Sequence, residues 1–157
     1  MKKAQPNSSV LKKLSIGDRD TETCKIFREI NNDLKKVGKV LEFAKEDIDL
    51  YAYILSTIVE QETNEKTNMQ ARKFLARQYR VYLILTDLIN RHQSLKVRWK
   101  PNLSPNNFQW QEIIRSFFQL EEELRIFHEI HFLVKRNYLR FTHEHFQVEY
   151  GQPVKVA

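Results

Sequence analysis

The side chains best suited to chemistry in this 157-residue sequence are five histidines and a run of three glutamates, and their spacing argues against a reaction centre. His128 and His131 are three apart, so a helix would set both imidazoles on one face, as half of a metal site requires. His143 and His145 cannot complete it, because residues two apart on a helix point about 200° away from each other. No Glu-x-x-His pair of the di-iron bundle kind occurs, nor any His-Glu-x-x-His, so no metal site and no cofactor is expected. His131 and His145 fall instead on an apolar stripe, where an isolated polar side chain can fix the register of packed helices.

Glu121, Glu122 and Glu123 are consecutive and would point in different directions on a helix, so they cannot converge as an acid–base pair. With Arg125 they read as a solvated charged face. Nucleophile motifs built on serine, cysteine or lysine are missing, and three isolated glycines cannot build a phosphate cradle. The lone Cys24 has Lys25 and Arg28 beside it but no disulfide partner, and reads as a small helical thiol in a reducing, cytoplasmic setting. The sequence therefore points to a non-enzyme with no small-molecule substrate.

Charge is the more informative signal. The net +6 is concentrated in residues 1–19, at +4, and 67–100, at +7, whereas residues 20–66 carry −4 and the remainder −1. Lys73, Arg77 and Arg80 share a helical face, and Lys96, Arg98 and Lys100 surround Trp99, an alternation of cations and an aromatic that can track phosphates and stack on a base. The same cations can instead lay their stems over apolar neighbours and pair with Asp47, Asp49, Glu60 or Glu62, with Trp99 plugging the end of a bundle. A second mixed surface holds Lys135, Arg136 and Arg140 with Phe132, Tyr138, Phe141 and Phe146, a composition typical of protein interfaces.

The elements that must carry these residues follow from punctuation. Pro6, Gly17, Gly38, Pro101, Pro105, Gly151 and Pro153 are the only glycines and prolines, so residues 40–100 and 106–150 contain no strong helix breaker. Apolar residues recur at steps of three and four from Phe27 through Leu34, Leu41, Ile48 and Leu55 to Ile58. The same pattern recurs from Ala71 to Leu95, widened by Leu75, Tyr79, Tyr82 and Ile89, and from Trp110 to His145. The polar run 60–68 marks a turn near 61–66, with Thr67 and Gln70 spaced as a capping box. Ser104 and Pro105 read as N-cap and first residue of the last helix, and Gly151 as its stop. Strand signals are absent, and no apolar run exceeds residues 81–85, far below the ~20 needed to cross a bilayer. Residues 1–15 lack the apolar region of a secretory signal.

The expected fold is an all-α, elongated, antiparallel three-helix bundle over residues 20–150, flanked by disordered tails at 1–19 and 151–157. Asn31, Asn32 and Asp33, poor residues for a helix interior, predict that the start breaks off as a short extra helix. Loops centred near residues 64 and 100 set Leu55 opposite Lys73, Leu85 opposite Phe117 and Thr67 opposite Val134, so the final ~15 residues of a straight last helix overhang by about 22 Å, the alternative being a kink after His131 that folds the end back onto the core. The leading functional reading is a binding or adaptor protein acting through that end, toward a partner or a second copy. The alternative is nucleic-acid binding by the basic middle helix and the 96–100 segment.

Overall fold

The computed structural model describes the backbone of residues 19–99 and 108–150, and the side chains of residues 25–99 and 108–145. These residues form three helices, α1 (Arg19–Gln61), α2 (Glu65–Arg98) and α3 (Phe108–Tyr150), with no strand among them. At 1.5 Å per residue, α1 and α3, of 43 residues each, are about 65 Å long. The 34-residue α2 lies antiparallel to both and packs closely on each, while α1 and α3 run parallel and stand further apart. Among the described residues no helix is long and apolar enough to cross a membrane.

The seams are the buried faces. Ile30, Leu34, Val37, Leu41, Ala44, Ile48, Tyr51, Leu55 and Ile58 line α1, and Ala71, Val81, Leu85, Leu88 and Leu95 line α2. From α3 come Trp110, Ile113, Phe117, Leu120, Leu124, Phe127, Tyr138 and Phe141. The extra short helix does not form separately. α1 runs unbroken through residues 31–33, because Ile30 and Leu34 hold both sides of that stretch on the seam and Asp33 is engaged by Lys36 at 2.9 Å. The cap of α2 also differs from the Thr67–Gln70 box: Asn64 Oδ1 accepts from the amides of Lys66 and Thr67 at 3.0 and 3.2 Å, so the helix starts three residues earlier. Asn68 then donates to the Val59 carbonyl at 2.7 Å, tying the start of α2 to the end of α1. The expected caps at Ser104, Pro105 and Gly151 lie outside the described residues.

Register between α1 and α2 is as the seams imply. Phe27 stacks on Trp99 at 4.7 Å, and His92 Nε2 lies 2.7 Å from the Leu34 carbonyl. Register between α2 and α3 is not. Trp99 meets Trp110 at 5.1 Å, Arg91 bonds Glu123, and Phe74 meets Phe141 at 5.0 Å, which slides α3 by roughly three turns from the expected pairing of Leu85 with Phe117. Two causes act together: α2 continues to Arg98, and the stacked rings of Phe27, Trp99 and Trp110 clamp the end of the bundle. The overhang is thereby shortened from about 15 residues to the last five of α3, since His145 Nδ1 already lies 3.5 Å from Glu62 at the α1–α2 turn.

The core is divided. One apolar cluster runs from Ile30 to Ile48 on α1, Val81 to Trp99 on α2 and Trp110 to Phe127 on α3; the other joins Tyr51, Leu55, Ile58, Ala71, Tyr138 and Phe141. Gln78, 1 % exposed, sits between them with no partner for either amide atom. His131 stacks on Phe127 at 5.5 Å with its Nε2 unpartnered, and Asp47 bonds Lys135 at 2.7 Å. Polar side chains on all three helices thus interrupt the apolar seam between the two clusters.

Candidate functional site

The register shift redistributes the expected site residues. Tyr138 and Phe141, expected at an exposed end, are 2 % and 7 % exposed and belong to the core, Tyr138 against Tyr51 at 4.4 Å and Phe141 against Phe74. Burial pushes the Tyr138 phenol up to about 12. Lys135 is half-buried, bonded to Asp47 and 5.5 Å from the Tyr51 ring centre; the Asp47 bond first, then Tyr51, holds its ammonium above the ordinary range. Phe132, Arg136 and Arg140 stay exposed. The side chain of Phe146 and all of Lys100 lie outside the described residues. Trp99 is buried between Phe27 and Trp110, so in this fold it plugs the bundle end and offers no face to a base. Arg98 bonds Glu112 at 3.0 Å, while Lys96 is exposed.

Two parts of the sequence that looked separate come together between α2 and α3. Arg91 and Arg98 reach across to Glu123 and Glu112, which identifies the flank of α2 that looks toward α3. Heptad spacing places Ile84 and Arg77 on that same flank, with Lys73 and Arg80 beside them. On α3, Ile130 lies seven beyond Glu123, and Ile126, Leu133 and Arg140 repeat at sevens from Glu112. The Phe74–Phe141 contact brings Lys73 and Arg140, their chain neighbours, to one level. Three of the four acids expected to neutralise the α2 cations are engaged elsewhere, Asp47 by Lys135, Asp49 by Lys45 at 2.9 Å and Glu62 by His145, while Glu60 is exposed and pairs with neither these nor the α2 cations among the described residues. Lys73, Arg77, Arg80, Arg136 and Arg140 are exposed and make no ion pair with a described residue; Arg77 lies 5.5 Å from the Phe74 ring centre. Exposed Ile84, Ile126, Ile130 and Leu133 sit among them. Periodicity could have found these four, since they share the heptad positions of the charged residues, but a reading of one helix at a time gives no reason to join them.

The other faces differ. Between α1 and α2 an open groove of about 510 Å³ is lined by Ile48, Ala52, Leu75, Ala76, Tyr79 and Tyr82, with Gln78 at its back; Tyr79, expected to widen the core stripe, is exposed there. Between α1 and α3 the Asp47–Lys135 bond lies amid exposed apolar side chains. The glutamate run is a charged face as expected: Arg125 bonds Glu122 and Glu129, and Glu123 accepts from Arg91 and Gln119. Burial raises Glu121, with Asp33 adding to it. Among the described residues no group of three or more histidine, cysteine, aspartate or glutamate side chains is placed to hold a metal ion. No protein-family model matches this chain, and no curated protein or solved structure is similar to it.

Proposed function

We propose that this chain is a non-enzymatic helical binding module whose α3, together with the adjoining flank of α2, takes an acidic protein surface. One observation carries the reading: Lys73, Arg77, Arg80 and Arg140, with Arg136 on the crest of α3, have no carboxylate partner among the described residues and surround exposed Ile84, Ile126, Ile130 and Leu133. Uncompensated cations supply attraction and orientation over a distance, and apolar side chains at their centre supply desolvation on contact. The test is a photo-crosslinking residue at Leu133 in the native cell. A discrete protein adduct that disappears in the Arg77→Glu, Arg80→Glu, Arg140→Glu triple variant is the expected result; no adduct, or one indifferent to charge reversal, refutes the reading.

Nucleic acid is the second reading, supported by the same unpaired cations. Phosphate contacts release counterions, so affinity for a single-stranded or duplex oligonucleotide must fall steeply with salt. Against it, the α2–α3 flank carries isoleucine and leucine where stacking needs aromatic rings, Tyr79 opens into the α1–α2 groove, and Trp99 is occupied. Anisotropy titrations at low salt that show no oligonucleotide binding eliminate it.

A further inference from the structure

The third face calls for an occupant that the cationic face does not suit. The Asp47–Lys135 bond at 2.7 Å and the Tyr51–Tyr138 contact at 4.4 Å fix α1 against α3. Phe43 and Leu50 lie four before and three after Asp47; Phe132 and Leu139 lie three before and four after Lys135. Helical spacing therefore sets all four around the ion pair on one face of the bundle. Their exposures are 68, 53, 63 and 49 %, and Tyr53 extends the patch along α1. Taking 150–250 Å² for a whole aromatic side chain, the five leave on the order of 600 Å² of apolar surface in water. That reaches the top of the ~300–600 Å² range usual for a monomer's largest patch and about three quarters of the ~800 Å² each partner buries in a stable complex.

Charge selects the occupant. The cations nearest the patch, Lys36, Arg125 and Lys135, are each paired within the chain, to Asp33, to Glu122 and Glu129, and to Asp47. A two-fold contact sets a surface against its own copy, so a cationic face repels itself and a balanced one does not. For a chain of net charge +6, the α1–α3 face is where a second copy can approach closely. We propose that this face binds a second copy of the chain, forming a two-fold dimer centred on Phe43, Leu50, Phe132 and Leu139.

Sedimentation equilibrium of the full chain across micromolar concentrations tests the proposal. The parent should approach twice its 18.9 kDa, while Phe132→Glu and Phe43→Glu, both at exposed helix positions, should fall back to one chain's mass with unchanged circular dichroism. Arg80→Glu, on the opposite flank, should leave the dimer intact. A parent that stays at 18.9 kDa at the highest concentration overturns the proposal, as does a dimer that both glutamate variants leave unaltered. Should one glutamate variant lose helix, the other carries the test. The outcome is independent of the cationic face, because loss of the dimer leaves the Leu133 crosslink to be scored separately.

Discussion

Replacing Gln78 with leucine should stabilise the bundle, although it removes a polar side chain from the middle of the α2 seam. Gln78 is 1 % exposed and neither Nε2 nor Oε1 has a hydrogen-bond partner, so folding strips both groups of water without replacement. An unsatisfied buried polar group costs about 1–3 kcal/mol, and leucine at the junction of the two apolar clusters restores contact between them. The expected gain is about 1–3 kcal/mol. At roughly 2–4 °C per kcal/mol for a domain of this size, the melting temperature should rise by about 4–8 °C in the middle of that range. Urea unfolding followed by circular dichroism is the decisive assay, because a higher midpoint at constant slope isolates stability from changes in the denatured state. Gln78→Met, closer to glutamine in shape, separates the loss of polarity from the change in packing. If both variants unfold at the parent midpoint or below it, the amide is satisfied in solution and the unpartnered-group reasoning fails.

Three further outcomes follow from neighbouring contacts. A Cβ at Gly38 would stand 2.9 Å from Cε1 of His92, whose ring is pinned to the Leu34 carbonyl, so Gly38→Ala should yield no net stability in the parent yet about 1 kcal/mol in a His92→Ala background, measured by a double-mutant melting cycle. Burial holds His131 below its ordinary 6.5, so the unfolded chain takes up the proton first as pH falls; stability should be full above 6.5 and decline below it, and His131→Leu should flatten that decline in urea melts. Tyr138 is raised from 10 to about 12, so its contribution is complete below pH 10 and lost as pH rises toward 12; Tyr138→Phe should lessen the fall in unfolding midpoint between pH 9 and 11.

Helix content and seams were legible because burial on a bundle repeats every three and four residues, and the apolar residues named on that basis, Tyr79 apart, are the ones that pack. The α1–α2 register was legible as well, since a three-residue turn leaves little freedom in how the two helices align. Across the longer connection after Trp99 the alignment is set by tertiary stacking of Phe27, Trp99 and Trp110, which no spacing rule contains. An error of three turns there turned two core aromatics, Tyr138 and Phe141, into an apparent interface. The exposed side chains had a readable signal in Phe43 and Leu50, seven apart and off the seam, but their meaning depended on which flank of α3 stood beside them. The cationic face was half legible: Lys73, Arg77 and Arg80 form a stripe by spacing alone, whereas Arg140 joins them only through the Phe74–Phe141 contact.

The two proposed surfaces share α3 without competing for it. Phe132 and Leu133 are consecutive, about 100° apart around the helix axis, so one belongs to the α1 flank and the other to the α2 flank. Pairing through Phe132 would leave Leu133, Ile130 and the unpaired cations facing outward on both copies. A dimer would then present two cationic faces to one acidic partner, and the second contact would form at the effective concentration set by the first, strengthening binding without any new interaction. The relation is measurable: Phe132→Glu should weaken capture of a bivalent acidic partner while leaving each single contact unchanged, whereas Arg77→Glu should weaken both. If Phe132→Glu weakens binding of one isolated α2–α3 face as strongly as it weakens the bivalent complex, the two flanks are one interface and their separation on α3 is wrong.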